Sequence, residues 1–139
     1  MKIAAAEPCS AKDRTILIVE DDPVVRSLVR LHLRNAGYEV LEAEDAVEGG
    51  HLLLGKQPDL VVCDVDMPYL NGYEFVAALK ADPQTRHVPV IFLTVRDDVA
   101  DHAKKVGAEA YLRKPVRADQ LLETVRLHLH ESILTRGSG

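Results

Sequence analysis

The sequence lacks the long apolar run of a membrane protein and the basic excess common in nucleic-acid-binding proteins. No stretch approaches the ~18 consecutive apolar residues of a membrane-spanning helix. The formal net charge at pH 7 is −5, with 17 basic and 22 acidic residues. No general positive field therefore attracts the phosphates of nucleic acid or of anionic lipid. We expect neither direct nucleic-acid binding nor membrane association.

Cysteine is also scarce. Cys9 and Cys63 lie far apart and do not have the close spacing of metal ligands. Cys63 falls inside an apolar run, where a small buried side chain is the expected role. The apolar stretch at residues 3–6 is too short for the core of a secretory signal. These features predict a reduced compartment and a cytoplasmic location.

Acidic residues directly follow two of the apolar runs. Residues 16–19 end at three acids and a proline, and residues 60–63 are followed by Asp64 and Asp66. A short, continuous apolar run that ends at a turn signal is typical of a strand buried on both faces of a parallel sheet. The carboxyl ends of such strands meet at the edge where open α/β folds bind ligands. Carboxylates gathered there repel one another, so we predict a cation between them.

Apolar runs and helical periodicities alternate along the rest of the chain. Asp22 is a plausible helix cap, and Pro23 suits the first helical position after it. The predicted strands cover residues 16–20, 38–41, 59–63, 88–93 and 110–112. The predicted helices cover residues 23–36, 45–54, 73–81, 97–106 and 118–131.

This order of elements predicts an α/β fold. Five strands alternating with five helices imply a parallel sheet covered by helices on both faces. Right-handed crossovers favour the doubly wound strand order 2-1-3-4-5 of a flavodoxin-like single domain. The first, third and fourth strands are then neighbours. The strand ends that carry Glu20, Asp21, Asp64 and Thr94 therefore converge.

Five short motifs lie at separate points along the chain. In chain order they are Glu20-Asp21 after the first strand, Asp64 after the third, Met67-Pro68 with Asn71-Gly72 in the next loop, Thr94 at the end of the fourth strand and Lys114-Pro115 after the fifth. With these motifs the sequence resembles the receiver domains of two-component response regulators, which share the fold of the chemotaxis regulators. The resemblance covers about residues 14–129. Glu20 departs from the pattern, because many members carry aspartate there.

The resemblance implies a phosphoacceptor in a two-component phosphorelay. Asp64 is expected to take a phosphoryl group from a sensor histidine kinase or a phosphotransfer protein. Lys114 and Thr94 are expected to bind the phosphoryl oxygens, and the Lys114-Pro115 bond is usually cis in this family. Beyond magnesium-dependent self-phosphorylation and autodephosphorylation, the resemblance implies no enzyme activity.

Mg²⁺ is the cofactor that the resemblance implies. Asp21, Asp64 and the backbone carbonyl of Asp66 are the expected ligands, with Glu20 acting mostly through a bound water. These are the hard oxygen ligands that Mg²⁺ prefers.

The resemblance also implies a switch. Thr94 moves toward the phosphoryl group, and Tyr111 turns inward to fill the space that Thr94 leaves. The surface of the fourth helix, fifth strand and fifth helix then binds an unidentified downstream protein or output domain, or a second copy of the chain as a homodimer. A packing role for Tyr111 beside Leu112 is the alternative.

Two residues at the lip of the site carry opposite charges. Asp66 and Arg96 lie two positions beyond Asp64 and Thr94, and their charges could pair over the site and screen the attacking water. Val95 is β-branched and narrows the entrance. We therefore expect slow self-phosphorylation by small donors and slow hydrolysis of the acyl phosphate.

The sequence predicts one domain with two short flanking segments. Residues 1–13 are expected to form a disordered leader, residues 14–131 the receiver domain, and residues 132–139 a flexible tail. The chain is either a stand-alone receiver or part of a larger regulator or hybrid kinase.

Three alternatives have different support. A dehalogenase-like phosphotransferase is disfavoured, because Pro68 stands where its motif has threonine or valine. A flavin-binding protein is disfavoured, because acids replace the phosphate-binding loop after the first strand. A receiver-like interaction module that is rarely phosphorylated stays open, and binding of beryllofluoride would distinguish these classes.

Overall fold

The computed structural model describes residues 14–67 and 71–138, with the side chains described as far as residue 129. Five strands alternate with five helices along the chain. The strands are β1 (Thr15–Val19), β2 (Glu39–Ala43), β3 (Leu60–Asp64), β4 (Val90–Thr94) and β5 (Ala110–Arg113). The helices are α1 (Pro23–Asn35), α2 (Ala46–Lys56), α3 (Gly72–Ala81), α4 (Val99–Val106) and α5 (Ala118–Ser138).

The strands form one parallel sheet in the order β2-β1-β3-β4-β5, which confirms the predicted topology. In this register Val19 pairs with Ala43 on one side and with Cys63 on the other. Asp64 pairs with Leu93, and Thr94 pairs with Arg113. The carboxyl ends of β1, β3, β4 and β5 are therefore brought to one edge of the sheet.

The central strands β1, β3 and β4 are buried on both faces, which explains their continuous apolar runs, whereas the edge strands β2 and β5 keep exposed residues. Successive side chains of a strand point to opposite faces. Leu17 and Val61 thus belong to an apolar cluster that includes residues of α2, α3 and α4. Ile16 and Val62 belong to a second cluster, which includes residues of α1 and α5. Within the described residues, no helix combines the length and apolar character needed to cross a membrane.

Local signals set the beginnings of two helices near the functional edge. The Asp22 side chain accepts a hydrogen bond of 2.9 Å from the Val24 amide, which confirms Asp22 as the cap of α1. Asn71 caps α3 through the Glu74 amide, and the Glu74 side chain accepts from the Asn71 amide in return. This reciprocal pair is a capping box, and it fixes the start of α3 beside the end of β3.

Most predicted element boundaries lie within two residues of the structure, and the starts of β4 and α4 shift for identifiable reasons. β4 begins at Val90 rather than Val88, because Pro89 has no amide hydrogen to donate to a neighbouring strand. α4 begins at Val99 rather than Asp97, whose carboxylate instead pairs with Arg113.

The end of α5 also differs from the prediction, since the helix extends to Ser138 instead of ending near residue 131. Residues 131–136 contain neither proline nor glycine, so no local signal stops the helix there. The backbone of the predicted tail is thus helical at residues 132–138, and its flexibility stays a prediction. The predicted leader, residues 1–13, lies outside the described residues.

Gly72 occupies the closest approach between α3 and β3. Its amide donates a 2.8 Å hydrogen bond to the Val65 carbonyl. A Cβ atom at this position would overlap the Asp64 carbonyl oxygen and lie 2.9 Å from the Val65 Cα. Because both neighbours are backbone atoms, they cannot move aside as a flexible side chain would. The absence of a side chain at Gly72 therefore lets α3 begin against the end of the strand that carries Asp64.

Substituting Gly72 should therefore destabilise the protein. We expect Gly72→Ala to lower the free energy of unfolding by about 1–3 kcal/mol, because the new methyl group meets backbone. Gly50→Ala is the matched control: Gly50 lies inside α2, and no heavy atom lies within 4 Å of its ideal Cβ. There alanine should stabilise the helix by about 0.5–1 kcal/mol. Urea denaturation measures both, and equal stabilities for the two variants would contradict this packing argument.

Candidate functional site

Four strand ends build the candidate site. Glu20 and Asp21 follow β1, Asp64 is the last residue of β3, Thr94 is the last residue of β4, and Lys114 follows β5. These side chains are far apart in the sequence, and the parallel sheet alone brings their backbones to a common edge.

Three carboxylates form the centre of the site. One carboxylate oxygen from each of Glu20, Asp21 and Asp64 lies within 4.8 Å of the others. Glu20 is completely buried and Asp64 is 4% exposed, whereas Asp21 is exposed. The Asp22 amide donates to Glu20 Oε2 at 3.1 Å, and the Arg26 guanidinium donates to the Glu20 carbonyl at 2.8 Å. The structure thus brings together three of the four predicted metal-binding residues.

Lys114 lies between the two buried carboxylates. Its Nζ is 3.1 Å from Asp64 Oδ1 and 3.1 Å from Glu20 Oε1. Its backbone amide donates to the Thr94 carbonyl at 2.8 Å, which connects it to the end of β4. The Lys114–Pro115 bond is cis, as the family resemblance implies. Lys114 is therefore placed to neutralise part of the negative charge around Asp64.

Burial and mutual repulsion shift the pKa values of these groups. Burial, with added repulsion from Asp64, raises the pKa of Glu20 from its ordinary 4.5 to about 7. Burial also raises the pKa of Asp64, although Lys114 opposes the shift. Burial alone would lower the pKa of Lys114, but the charges of Asp64 and Glu20 outweigh it and raise that pKa. The lysine is therefore held in its charged form by the two carboxylates beside it.

The carboxylate cluster fits a divalent cation. Glu20 Oε1 is buried, and it accepts no well-aligned hydrogen bond from any described residue, although Lys114 Nζ lies 3.1 Å away. Its ion-pair partner is the Lys114 ammonium group, which it shares with Asp64, so one cation faces two buried carboxylates. The donor set consists of carboxylate oxygens, which suit Mg²⁺ or Ca²⁺ better than softer metals. The cluster therefore offers both the charge and the ligand type for a hard cation.

Asp66 and Arg96 pair with each other, which confirms the pairing that we predicted from the sequence. Arg96 Nε and Nη2 both donate to Asp66 Oδ1, at 3.0 and 2.7 Å. The Asp66 carboxylate is therefore engaged by the guanidinium and is not part of the three-carboxylate cluster. This agrees with the implied role of Asp66, which rests on its backbone carbonyl alone.

The two switch candidates lie in different environments. Thr94 is completely buried, and its hydroxyl oxygen accepts a 2.9 Å hydrogen bond from the Arg96 amide. Tyr111 on β5 lies opposite Phe92 on β4. It is 43% exposed, in contrast to the buried Thr94. A surface cavity of about 430 Å³ beside it is lined by Tyr111, Leu112, Arg113, Gln120, Glu123 and Thr124.

The structure reveals contacts around the site that the sequence did not predict. Arg113 pairs with Asp97 at 2.8 Å and so holds the loop after β4 from the side of β5. Tyr73 stacks on His102, with ring centroids 4.8 Å apart, and thereby joins α3 to α4. No local sequence pattern marks either contact, because each joins residues from separate elements.

Comparisons with known proteins agree on one family. A family model described as the response regulator receiver domain matches residues 16–126. The chain is 38% identical over 112 residues to the protein PilH of Pseudomonas aeruginosa, covering 79% of this chain and 93% of PilH. It is 35% identical over 119 residues to the DNA-binding dual master transcriptional regulator RpaA of Synechocystis, covering 84% of this chain. The chain spans only 49% of the length of RpaA.

A solved structure with a bound metal is also similar. It is the receiver domain of a sensor histidine kinase from Pseudomonas aeruginosa, with a magnesium ion coordinated in its active site cleft. The identity is 28% and the TM-score is 0.78, with 84% of this chain and 98% of that chain covered. Relatives of this chain thus include a protein of nearly its own length, a longer regulator and part of a kinase.

The raised pKa of Glu20 predicts how the stability of the metal-free protein depends on pH. A carboxyl group whose pKa rises on folding binds more protons in the folded state, so the free energy of unfolding falls as pH rises from about 4.5 to about 7. Asp64 acts in the same direction. Because a cation competes with these protons, Mg²⁺ should stabilise the protein more at pH 8 than at pH 5.

Urea denaturation in EDTA and in Mg²⁺, at pH 5 and pH 8, measures this dependence. Glu20→Gln keeps the shape of the side chain but does not titrate, so it should flatten the pH dependence without metal. An identical pH dependence in the two proteins would show that Glu20 does not have the assigned pKa.

Proposed function

Because the chain belongs to the response regulator receiver domain family, we propose that it accepts a phosphoryl group on Asp64 within a two-component phosphorelay. The observation that carries this proposal is the pairing of the nearly buried Asp64 carboxylate with Lys114 at 3.1 Å, beside two further carboxylates. The family match decides against the dehalogenase-like and flavin-binding alternatives. The rarely phosphorylated interaction module stays open to experiment.

The proposed reaction is a phosphoryl transfer to a carboxylate nucleophile. A carboxylate oxygen of Asp64 attacks phosphorus, and the bond from phosphorus to the leaving group breaks. The product is a mixed anhydride, an aspartyl phosphate. With a phosphohistidine donor, the leaving group is the imidazole nitrogen, which takes up a proton. Such transfers depend mainly on positioning and on neutralisation of the phosphoryl oxygens.

The side chains of the site would serve these needs. Lys114 already touches Asp64, so its ammonium group can pair with an oxygen of the incoming phosphoryl group. The Thr94 hydroxyl accepts from the Arg96 amide and still has its own proton to donate to a phosphoryl oxygen. Burial excludes water from the carboxylate and strengthens both interactions.

We assign Mg²⁺ to the three-carboxylate cluster. Asp21 and Asp64 would supply carboxylate ligands, and Asp66 would supply its backbone carbonyl. Glu20 would act mostly through a bound water. When bound, the ion would neutralise charge on the carboxylates and on the phosphoryl oxygens. The support is the fit of the donor set and the magnesium ion in the similar kinase receiver domain.

The donor would be a sensor histidine kinase or a phosphotransfer protein, since both present a phosphohistidine.

Phosphorylation would then act on the surface of α4, β5 and α5. The Thr94 hydroxyl moves to the phosphoryl group, and the exposed Tyr111 turns inward behind it. Because these contacts form only in the phosphorylated state, the new charge can shift the equilibrium between two conformations of the protein. A downstream protein, an output domain or a second copy of the chain would bind the changed surface. The cytoplasmic location and the lack of nucleic-acid binding stay predictions.

Asp64→Asn should keep the fold but take up no phosphate from acetyl phosphate and Mg²⁺, because the nucleophilic carboxylate is gone. Asp101→Asn, an exposed substitution on α4, is the control and should be labelled like the wild type. Intact-protein mass spectrometry measures the added phosphoryl mass. Labelling of Asp64→Asn at the wild-type level would place the acceptor elsewhere, and an unlabelled wild type would favour the interaction module.

Removing one of the clustered charges should have opposite effects with and without metal. We expect Asp21→Asn to lose Mg²⁺ binding, since a ligand is removed. Without metal, the same variant should be more stable than the wild type, because repulsion from Glu20 and Asp64 is relieved. Titration calorimetry and thermal denaturation measure the two effects. Unchanged affinity for Mg²⁺ would show that Asp21 is not a ligand.

Thr94→Ala should separate phosphorylation from the switch. The variant should still bind beryllofluoride at Asp64 but should not pass the change to Tyr111, because the hydroxyl that moves is absent. Amide chemical shifts of α4 and the sedimentation coefficient report the change, with Ser27→Ala, at an exposed hydroxyl on α1, as the control. Equal responses to beryllofluoride in the wild type and in Thr94→Ala would exclude this route.

A further inference from the structure

Arg26 on α1 contacts the backbone of the carboxylate cluster. Its Nη1 donates a hydrogen bond of 2.8 Å to the Glu20 carbonyl oxygen. The Glu20 amide donates to the Ala43 carbonyl of β2 at 3.0 Å. Both backbone polar groups of Glu20 are therefore fixed, one by the neighbouring strand and the other by a side chain of the first helix.

The guanidinium of Arg26 is itself held in place. Its Nε lies 3.4 Å from Glu42 Oε1 on β2, and its side chain is only 17% exposed. Arg30, one turn later on α1, pairs with the same Glu42 carboxylate at 3.0 Å. A planar guanidinium presents several donors in a rigid fork, so one side chain can bind a carboxylate and a carbonyl together. Arg26 therefore joins α1 and β2 to the point where the acids follow β1.

The Glu20 carbonyl belongs to the peptide group that leads into Asp21. A trans peptide group is planar, so its carbonyl and the following amide point in opposite directions. When Arg26 fixes the Glu20 carbonyl, it therefore also fixes the direction in which the chain enters Asp21. The carboxylates of Glu20 and Asp64 are held by burial and by Lys114, whereas Asp21 is exposed. The position of the Asp21 carboxylate thus depends mainly on the backbone that Arg26 holds.

We propose that Arg26 is a positioning residue that favours Mg²⁺ over Ca²⁺ at the three-carboxylate cluster. By fixing the peptide group between Glu20 and Asp21, it limits the positions that the Asp21 carboxylate can take. This inference rests on the proposed assignment of Mg²⁺ to the cluster. Arg26 touches neither the ion nor the phosphoryl group, and it acts through the backbone alone.

Two ions of equal charge separate this role from an effect of charge. Mg²⁺ requires near-ideal octahedral geometry, whereas Ca²⁺ is larger and accepts a flexible set of oxygen ligands. A less restricted Asp21 should therefore weaken the binding of Mg²⁺ more than that of Ca²⁺. Removing a positive charge near the cluster would instead strengthen the binding of both ions to the same extent, because the same repulsion is lost.

Arg26→Met keeps the apolar stem of the side chain but removes its hydrogen-bond donors. We expect the Kd for Mg²⁺ to rise about fivefold, which corresponds to about 1 kcal/mol, the usual net contribution of one hydrogen bond. The Kd for Ca²⁺ should rise less than about twofold, because that ion tolerates displaced ligands. Titration of the unphosphorylated protein with each ion, followed by amide chemical shifts, measures both constants.

Arg30→Met is the matched control. It removes the same charge from the same helix and a contact with the same Glu42, but the side-chain contacts of Arg30 are with Glu42 and Ser27 rather than with Glu20. The ratio of the two dissociation constants should therefore equal that of the wild type. Glu42→Gln is a second test variant. It releases the guanidinium of Arg26 from β2 and should lower the preference for Mg²⁺ in the same direction as Arg26→Met.

Another measurement needs no metal. In the metal-free protein, the nitrogen-15 order parameter of the Asp21 amide should fall in Arg26→Met and stay unchanged in Arg30→Met, because only the first variant releases the peptide group. Urea denaturation in EDTA records the stability of each variant separately. A merely structural role of Arg26 would lower the free energy of unfolding and leave the ratio of the two dissociation constants unchanged in the folded protein.

The outcomes distinguish the two proposals. If the wild type binds neither ion at the cluster, the proposed magnesium site fails, and the role of Arg26 fails with it. If the wild type binds Mg²⁺ but Arg26→Met binds it more tightly, or weakens both ions equally, the role of Arg26 alone is overturned. If Arg26→Met does not fold, the ratio of the dissociation constants in Glu42→Gln decides, and an unchanged ratio overturns the inference.

Discussion

The structure depends on the electrostatic balance of three carboxylates and one lysine at the carboxyl edge of a buried sheet. Glu20 and Asp64 are almost without solvent, and each lies 3.1 Å from the same ammonium group of Lys114. The carboxylates carry more negative charge than one lysine can neutralise, so the metal-free site is held under repulsion. This excess charge favours the binding of a cation. Burial raises the pKa values of both buried acids, and repulsion from Asp64 adds to the shift at Glu20.

The scaffold keeps these charges close although they repel one another. The mainly apolar central strands β1, β3 and β4 pack between two layers of helices, and their register fixes the strand ends to within one residue. Gly72 allows α3 to begin against the carbonyl of Asp64, and the capping box of Asn71 and Glu74 holds that start in place. The stability of the sheet thus offsets the free-energy cost of holding like charges close together at the site. Such local costs are common at functional sites.

The same edge links the chemistry to the surface. Thr94 is buried beside the cluster, and its hydroxyl is joined to the Arg96 amide. Arg96 in turn reaches Asp66, and Arg113 reaches Asp97, so the loop after β4 is tied on both sides. A change of charge at Asp64 would therefore act on a loop whose contacts are few, specific and partly exposed. Tyr111 lies exposed on β5, the edge strand next to β4.

Local patterns in the sequence were sufficient for most of the fold. Uninterrupted apolar runs followed by acids predicted buried parallel strands, and alternation with helices predicted the order that the sheet has. Helix boundaries were less accurate where a tertiary contact competes with the local signal. Asp97, for example, pairs with Arg113 instead of beginning α4. Residue spacing also suggested which acids converge, because the carboxyl ends of parallel strands share one edge.

What the sequence by itself determined is the set of chemical groups and the edge at which they meet: Glu20, Asp21, Asp64, Thr94 and Lys114. Tertiary structure decided which of them touch and in which protonation state, since distances and burial depend on packing between distant elements. It placed Lys114 between two buried carboxylates, turned the Asp66 side chain toward Arg96 and left Tyr111 exposed. Pairwise contacts across elements have no local signature, because they arise only when separate strands and loops are brought together.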